Sequence, residues 1–388
     1  MLNVTKLTFD HETAPVGLDH APVFGWQLTG DCRDIRQTMA QLQIAMTPDF
    51  AAPVFDELLP GKNSIAVQAA GFAPRALTRY YARVQIKADT AAGLQTSDWS
   101  APGSFVTALL DPEREWRAAF ISAEDADTCR ESSAGTMVRG DFAVRPGIRA
   151  AYACTTALGL YNFYLNGTKV STDEMTPGWT SYNRRLLYQT YDVTALLHPG
   201  TNRAGAMLGA GWYKGVMGLT RARNNYGDRT AFSMQLTLQY DDGTTEIVTT
   251  DASWQGTIAP VTFSEIYHGE EYDAALDEAA GMIARAERVF LVGIGNSGSI
   301  AEYGARYLSN LGKFALGVTD PFYPITVTPN TTIAAVILSV SGETKQVLHL
   351  ARQLKEKNAG LIAITCSDQS SAAKLSDITL PYYSSVHR

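Results

Sequence analysis

The 388-residue chain is sparing with cysteine, histidine and charge: four cysteines, six histidines, and 18% Asp, Glu, Lys and Arg together. Cys32, Cys129, Cys154 and Cys366 lie far apart and lack the paired spacing of a metal site. Buried thiols in a reducing compartment are the expectation, with no metal and no cofactor. Lys and Arg are dispersed with no basic stripe, and the net charge is −7. That balance argues against nucleic acid as the main partner. No run approaches the ~20 apolar residues that span a bilayer. Met1 to Asp10 shows no basic segment followed by an apolar stretch, so no secretory signal is read there. The chain is therefore expected in the cytoplasm, without a membrane partner.

What is present is a hydrophobic content of 45%, enough for folded cores, on a length that calls for two or three domains. Up to about residue 273 the periodicity is that of strands. In Tyr80-Tyr-Ala-Arg-Val-Gln-Ile-Lys87, Tyr80, Ala82, Val84 and Ile86 share one face. Thr38 to Met46 alternates more loosely, and Trp99 to Val106 closes the segment. Short strands at this spacing predict a small sandwich over 1–108. The pattern resembles the fibronectin-III/Ig-like domain that opens bacterial α-L-rhamnosidases.

A linker with Pro112 leads to a second β-rich region, 109–274. In Gly159-Leu-Tyr-Asn-Phe-Tyr-Leu-Asn-Gly167, Tyr161, Phe163 and Leu165 face one way, and Asn166-Gly167 is a strong hairpin turn. Asp242-Gly243 marks a second hairpin. The segments Phe163-Tyr-Leu-Asn-Gly167, Pro177-Gly-Trp-Thr180, Tyr188-Gln-Thr-Tyr-Asp-Val-Thr194, Leu208-Gly-Ala-Gly-Trp-Tyr213, Asn225-Tyr-Gly-Asp228 and Gly269-Glu-Glu-Tyr-Asp273 follow in order. Together they resemble the N-terminal accessory domain of α-L-rhamnosidases. Trp179, Tyr182, Trp212, Tyr213 and Tyr226 offer faces for stacking on sugar rings, with Asn225 and Asp228 as hydrogen-bonding partners; Trp179, Trp212, Asn225 and Asp228 are the candidate sugar contacts. The competing expectation places the aromatics in the core or in strand pairs.

Glycoside hydrolysis needs two opposed carboxyls. The resemblance implies that in rhamnosidases these stand on a large helical barrel downstream, and here no barrel follows Asp273. Glu265, Glu270, Glu271 and Asp273 are expected to be solvated turn carboxylates with a structural role. No catalytic residue is assigned, and a rhamnosidase fragment is the alternative reading, with rhamnose-containing glycans as its ligands.

From residue 275 the period becomes helical. Leu276, Ala279, Ala280, Ile283 and Ala284 form one predicted face. Val289–Val292, 314–318, 334–338 and 361–365 read as buried strands separated by helices, which makes a parallel sheet. The predicted fold class is thus two N-terminal all-β sandwiches followed by a three-layer α/β domain at 275–388. After the first strand the chain runs through Gly293-Ile-Gly-Asn-Ser-Gly298, with a helix opening near Ser297 or Ser299 and stopping at Gly312. After the third it runs through Ser339-Val-Ser-Gly-Glu-Thr344, with Ser341 as N-cap, Thr344 on the first turn, and Val347, Leu350, Ala351 and Leu354 on the buried face. Helix N-termini present free amides to anions, and open α/β sheets take ligands at the carboxyl edge.

The two serine-bearing loops resemble the SIS (sugar isomerase) domain, in particular the sensor domain of RpiR-type sugar-phosphate regulators. The helix-turn-helix of those regulators has β structure in its place here. The resemblance implies a small-molecule sugar phosphate held by Ser297, Ser299, Ser339, Ser341 and Thr344, and a homodimer through this domain. Aldose–ketose isomerisation, a further alternative, needs a base. Of Glu302, Glu343, His349 and His387, Glu343 reads as a first-turn acid favoured by the helix dipole, His349 as solvated and His387 as terminal. Binding is expected rather than turnover.

Overall fold

A computed structural model describes residues 2–31, 33–124, 129–258, 260–328 and 330–382; Cys32 and His387 lie outside them. Two compact units are present. One takes residues up to 258 together with 264–269, and the other takes 259–263 and everything from 270.

The first unit holds two β-sandwiches. In the first, a three-stranded sheet in the order Leu2–Phe9, Val23–Gly30, Val67–Gln68 faces a larger sheet. The larger sheet is built around Arg79–Thr90 and Arg36–Ala45, antiparallel partners with Ile44 opposite Ala82 and Leu42 opposite Val84. Tyr80, Ala82, Val84 and Ile86 are all buried, as the alternation predicts. They share a core with Phe9, Phe24, Phe72 and Phe105. A short helix, α1 (Pro112–Glu115), with proline in its first turn, lies in the linker.

In the second sandwich a five-stranded sheet carries Leu160–Leu165, Gly200–Gly209 and Thr136–Val144, and a four-stranded sheet carries Ile148–Leu158 and Ala231–Tyr240. Tyr161, Phe163 and Leu165 enter its core. Leu165 pairs with Thr168 across Asn166-Gly167, both at positive φ (49° and 82°), the turn that pair predicts. A one-turn helix, α2 (Gly211–Lys214), follows the Gly200–Gly209 strand. The two sandwiches share a core patch of Leu77, Val106, Leu109, Tyr152 and Cys154, and Gln239 Nε2 donates to Leu77 O at 2.7 Å.

Glu265 departs from expectation. It is buried, accepting from Ser133 Oγ (2.7 Å) and Val216 N (2.6 Å) beside Arg223. A buried carboxylate is kept only when its oxygens are paired in this way. Glu270 and Glu271 are exposed, as expected, but stand on the strand Gly269–Tyr272 and not in a turn.

The second unit is a five-stranded parallel sheet with helices on both faces. The spatial order is Phe314–Val318, Arg288–Val292, Ile333–Leu338, Gly360–Thr365, Ile378–Pro381. Helices α3 (Ala274–Arg285) and α4 (Asn296–Asn310) pack on one face, against Val289, Leu291, Ala334 and Val336. Helices α5 (Lys345–Glu356) and α6 (Ser371–Leu375) pack on the other, against Phe290, Val292, Ala335 and Ile337. Val347, Leu350, Ala351 and Leu354 of α5 are fully buried as their spacing predicts; each larger side chain contributes about 2 kcal/mol of burial.

Four expectations shift. On α3 only Ala279 is buried, with Ala275, Met282 and Ile283 partly buried around it and Leu276 half-buried, while Ala280 and Ala284 point to solvent. Asp273, expected in a turn, caps α3 by accepting from Leu276 N at 3.0 Å. The Phe314–Val318 strand is an edge strand, and Phe314 is exposed. Cys129 and Cys154 are buried, but Cys366 is exposed. No helix among the described residues is long and apolar enough to cross a membrane.

Candidate functional sites

The sheet order places the strands Arg288–Val292 and Ile333–Leu338 side by side, with Val292 level with Ile337. Their following helices, α4 and α5, leave to opposite faces. This is the point where the winding reverses, and the loops at the carboxyl ends diverge around a crevice.

The first loop is shaped by glycine. Gly293 N donates to Val318 O at 3.1 Å and ends the strand. A Cβ on Gly293 would lie 2.4 Å from Ser297 O and 2.6 Å from Ser297 C, so only glycine lets the helix fold back onto the strand end. Gly295 (φ 63°, ψ −129°) is the N-cap, and α4 opens at Asn296, earlier than predicted. A glycine cap has no side chain, so no side-chain hydrogen bond covers the first-turn amides. Ser297 is half-buried in that turn, and Ser299 is exposed.

The second loop is tied internally. Ser339, 5% exposed, accepts from Gly342 N at 3.1 Å, and its Oγ lies 3.2 Å from Thr344 Oγ1. Gly342 adopts φ 67°, and a Cβ there would sit 2.2 Å from Ser370 Oγ. Ser341 is not the N-cap. Its Oγ accepts from Glu343 N at 3.2 Å, and its side chain is exposed. Thr344 is the N-cap, and with its hydroxyl beside Ser339 it makes no capping bond, so the first turn of α5 also lacks a side-chain cap.

Of the four candidate bases, the three among the described residues, Glu302, Glu343 and His349, each have a separate partner. Glu343 precedes α5 and instead accepts from Ser371 N (2.7 Å) at the start of α6. That bond holds its carboxyl below the ordinary range. The reading of Glu343 as a first-turn acid of α5 is thereby corrected: it belongs to the next helix. His349 is exposed, with Nε2 at 2.9 Å from Gln353 Nε2. Glu302 is exposed and accepts from Thr319 Oγ1 at 3.4 Å.

A second constellation lies on the accessory sandwich. Trp179 lies flat on Trp212, ring centroids 5.8 Å apart and planes within 6°. Trp179 is 55% exposed, and its Nε1 donates to Tyr226 Oη at 3.3 Å. Tyr182 packs edge-on against Tyr213 (5.2 Å) and at a tilt against Tyr226 (4.9 Å). None of the five is on a strand or in the core cluster, so the core expectation fails for all of them. Burial, then the neighbouring Tyr226 and Tyr213, pushes the Tyr182 phenol up to about 12. It stays neutral, and its hydroxyl donates to Gly178 O at 3.1 Å.

The support beneath comes from α2, which carries Trp212 and Tyr213 on its exposed side. Its Lys214 is buried and paired with buried Glu124, which also accepts from Thr230 N (2.5 Å). Tyr226 N and Asn224 N donate to Tyr213 O and Lys214 O, fastening the loop to α2. Asn225 and Asp228 are exposed, and Asn225 Nδ2 donates to Ala222 O. Nothing in their spacing announced the Lys214–Glu124 pair, whose partners stand 90 positions apart.

Comparison with known proteins gives three matches along the chain. Residues 4–111 match the family described as Rha78A-like, N-terminal immunoglobulin domain. Residues 147–280 match the alpha-L-rhamnosidase N-terminal domain, and 282–387 match the SIS domain. An alpha-L-rhamnosidase of Streptomyces avermitilis is 39% identical over 149 residues, 38% of this chain and 14% of that protein. The crystal structure of an alpha-L-rhamnosidase from Aspergillus terreus superposes with a TM-score of 0.63 at 28% identity, covering 71% of this chain and 32% of that one. A 3-hexulose-6-phosphate isomerase of Methanocaldococcus jannaschii is 30% identical over 120 residues, 30% of this chain and 63% of that protein. The chain thus spans under a third of the length of these rhamnosidases.

Proposed function

We propose, for a chain that joins the two N-terminal domains of α-L-rhamnosidases to an SIS domain, that the C-terminal unit binds a phosphorylated sugar at the crevice between its two serine-bearing loops. The carrying observation is that α4 and α5 start from neighbouring strands with no side-chain cap on either first turn. First-turn amides without a side-chain cap, with Gly298 N alone of those in α4 turned back to Gly295 O, and the helix dipoles favour an anion there. Ser297, Ser299 and Ser341 add accessible hydroxyls, and Ser339 and Thr344 hold the second loop in shape. The related isomerase is named for a hexulose phosphate, which supports this ligand class. Binding is favoured over isomerisation because Glu343 serves α6 and His349 faces Gln353. Calorimetry with a panel of hexose and pentose phosphates should show a preferred ligand, weakened about tenfold in Ser341→Ala, the loss of one hydrogen bond to a charged group. Equal binding by parent and variant removes Ser341 from the site.

The Trp179–Trp212 pair favours a second reading, a platform for a rhamnose-containing glycan with Asn225 and Asp228 at its edge. Loss of rhamnosyl-oligosaccharide binding in Trp179→Ala is the expected result, and retention would discard the platform. Hydrolysis is not proposed, because Glu265 is committed to Ser133, Val216 and Arg223, and Asp273 to the start of α3. A cytoplasmic location and pairing of two copies through the SIS unit complete the proposal.

A further inference from the structure

Where the two sandwiches of the first unit meet the linker, the surface opens into a cleft of about 530 Å³. That is within the range of small-molecule sites. None of the aromatic platform's residues lines it. Its apolar part is Trp116, Phe120 and neighbouring aliphatic side chains; its polar part includes Asp19, Glu113, Arg184 and Arg185.

Each part is held by the fold. Trp116 Nε1 donates to Ser233 Oγ at 3.1 Å, and its ring meets Tyr188 edge-on at 5.6 Å, so the indole is fixed before any ligand arrives. Phe120 is 45% exposed, a large apolar surface left open to water. Arg184 and Arg185 are exposed and adjacent, and their amides both donate to Ser181 O (2.7 and 2.9 Å), which fixes the turn that bears them. Among the described residues neither guanidinium has a carboxylate within ion-pair distance, so both are available to a ligand. Glu113 is likewise exposed with no ion-pair partner among the described residues.

We infer that this cleft binds an acidic oligosaccharide, a chain of pyranose rings carrying uronate carboxylates. An aromatic face suits the C–H face of a pyranose. Two guanidiniums lining one cleft suit carboxylates, which each can hold by paired charge-assisted hydrogen bonds. Carboxylates such as Glu113 accept from ring hydroxyls. A neutral glycan would leave both guanidiniums unused, and a flexible acidic peptide would leave the fixed aromatic wall without a rigid face to cover.

The test is titration of the full chain with trigalacturonate, its methyl ester and a neutral trisaccharide, followed by tryptophan fluorescence and ligand-observed NMR. Trigalacturonate is expected to bind, at least tenfold tighter than its ester, and more weakly as salt rises. The double variant Arg184→Gln/Arg185→Gln should lose at least tenfold while keeping the parent circular dichroism, since both side chains are exposed. Phe120→Ala should weaken every saccharide that binds. Trp179→Ala should leave trigalacturonate binding intact, separating this cleft from the platform. Absence of binding up to ~10 mM, equal affinity for acid and ester, or indifference to the double arginine variant each overturns the inference.

Discussion

Glu343 ties one loop to the next. Its carboxylate accepts from Ser371 N, and that hydrogen bond, followed by the Ser371 side chain and Lys374, lowers its pKa from the ordinary 4.5. A carboxyl lowered on folding contributes stability that is fully present above its unfolded value and is lost as pH falls through its folded value. The contact should therefore hold at neutral pH and loosen below about pH 4.5. The readout is amide exchange at Ser371 and Ala372, which should accelerate as pH falls beyond the intrinsic trend in the parent and lose that extra dependence in Glu343→Gln. An unchanged profile in the variant would mean that Glu343 does not hold α6. The sequence offered a different role for this residue because a glutamate after Ser-Gly has the local pattern of a first-turn acid. Its actual partner lies 28 positions away, beyond the reach of local pattern. Glu265 was misplaced for the same reason: Ser133 is 132 positions distant. Residues whose environment is set by their own neighbours, such as Asn166-Gly167 or the α5 face, were legible.

Among the elements, the strand-to-helix joint at Gly293 is closely constrained. Two kinds of glycine meet here. Gly312, after α4, has φ 83° and open space around a would-be Cβ, so it serves the chain's direction alone. Gly293 has ordinary φ, and a methyl group there would strike the backbone of Ser297. Gly312→Ala should cost about 1 kcal/mol through left-handed strain. Gly293→Ala should cost more, about 2–3 kcal/mol, and should also displace the first turn of α4 with its free amides. Exchange mass spectrometry over 288–310 would show the difference, together with loss of sugar-phosphate binding in Gly293→Ala only. If Gly293→Ala bound normally, the first turn of α4 would not be part of the site. Strands and helices of this unit were legible because hydrophobic period and length agree. The start of α4 was not, because Gly295 caps by backbone conformation, which leaves no side-chain signal.

For the molecule as a whole, the exposed side of α4 is the feature that calls for a partner. Ile300, Tyr303 and Tyr307 follow one another at helical spacing, Leu311 ends the row, and Phe314, under the Arg288 guanidinium, opens the edge strand that follows. Ile300, Tyr303, Tyr307 and Phe314 are each 58–62% exposed. Aromatic and aliphatic side chains so exposed present roughly 500 Å² per copy, so a symmetric pair would bury on the order of 1,000 Å², the floor for a specific interface. A two-fold axis through the middle of α4 sets the helix antiparallel to itself. Glu302 and Arg306, one turn apart, would then meet the same pair in reverse order, placing unlike charges opposite each other at the rim. The second copy proposed above would fit that charge pattern. Sedimentation should give a dimer for the parent chain and a monomer for Tyr307→Glu, which buries a carboxylate in the middle of the row. Because the crevice belongs to one copy of the sheet, the monomeric variant should still bind sugar phosphate. A monomeric parent would return the row to solvent, and a monomeric variant that had lost its ligand would show that the crevice is completed by the second chain.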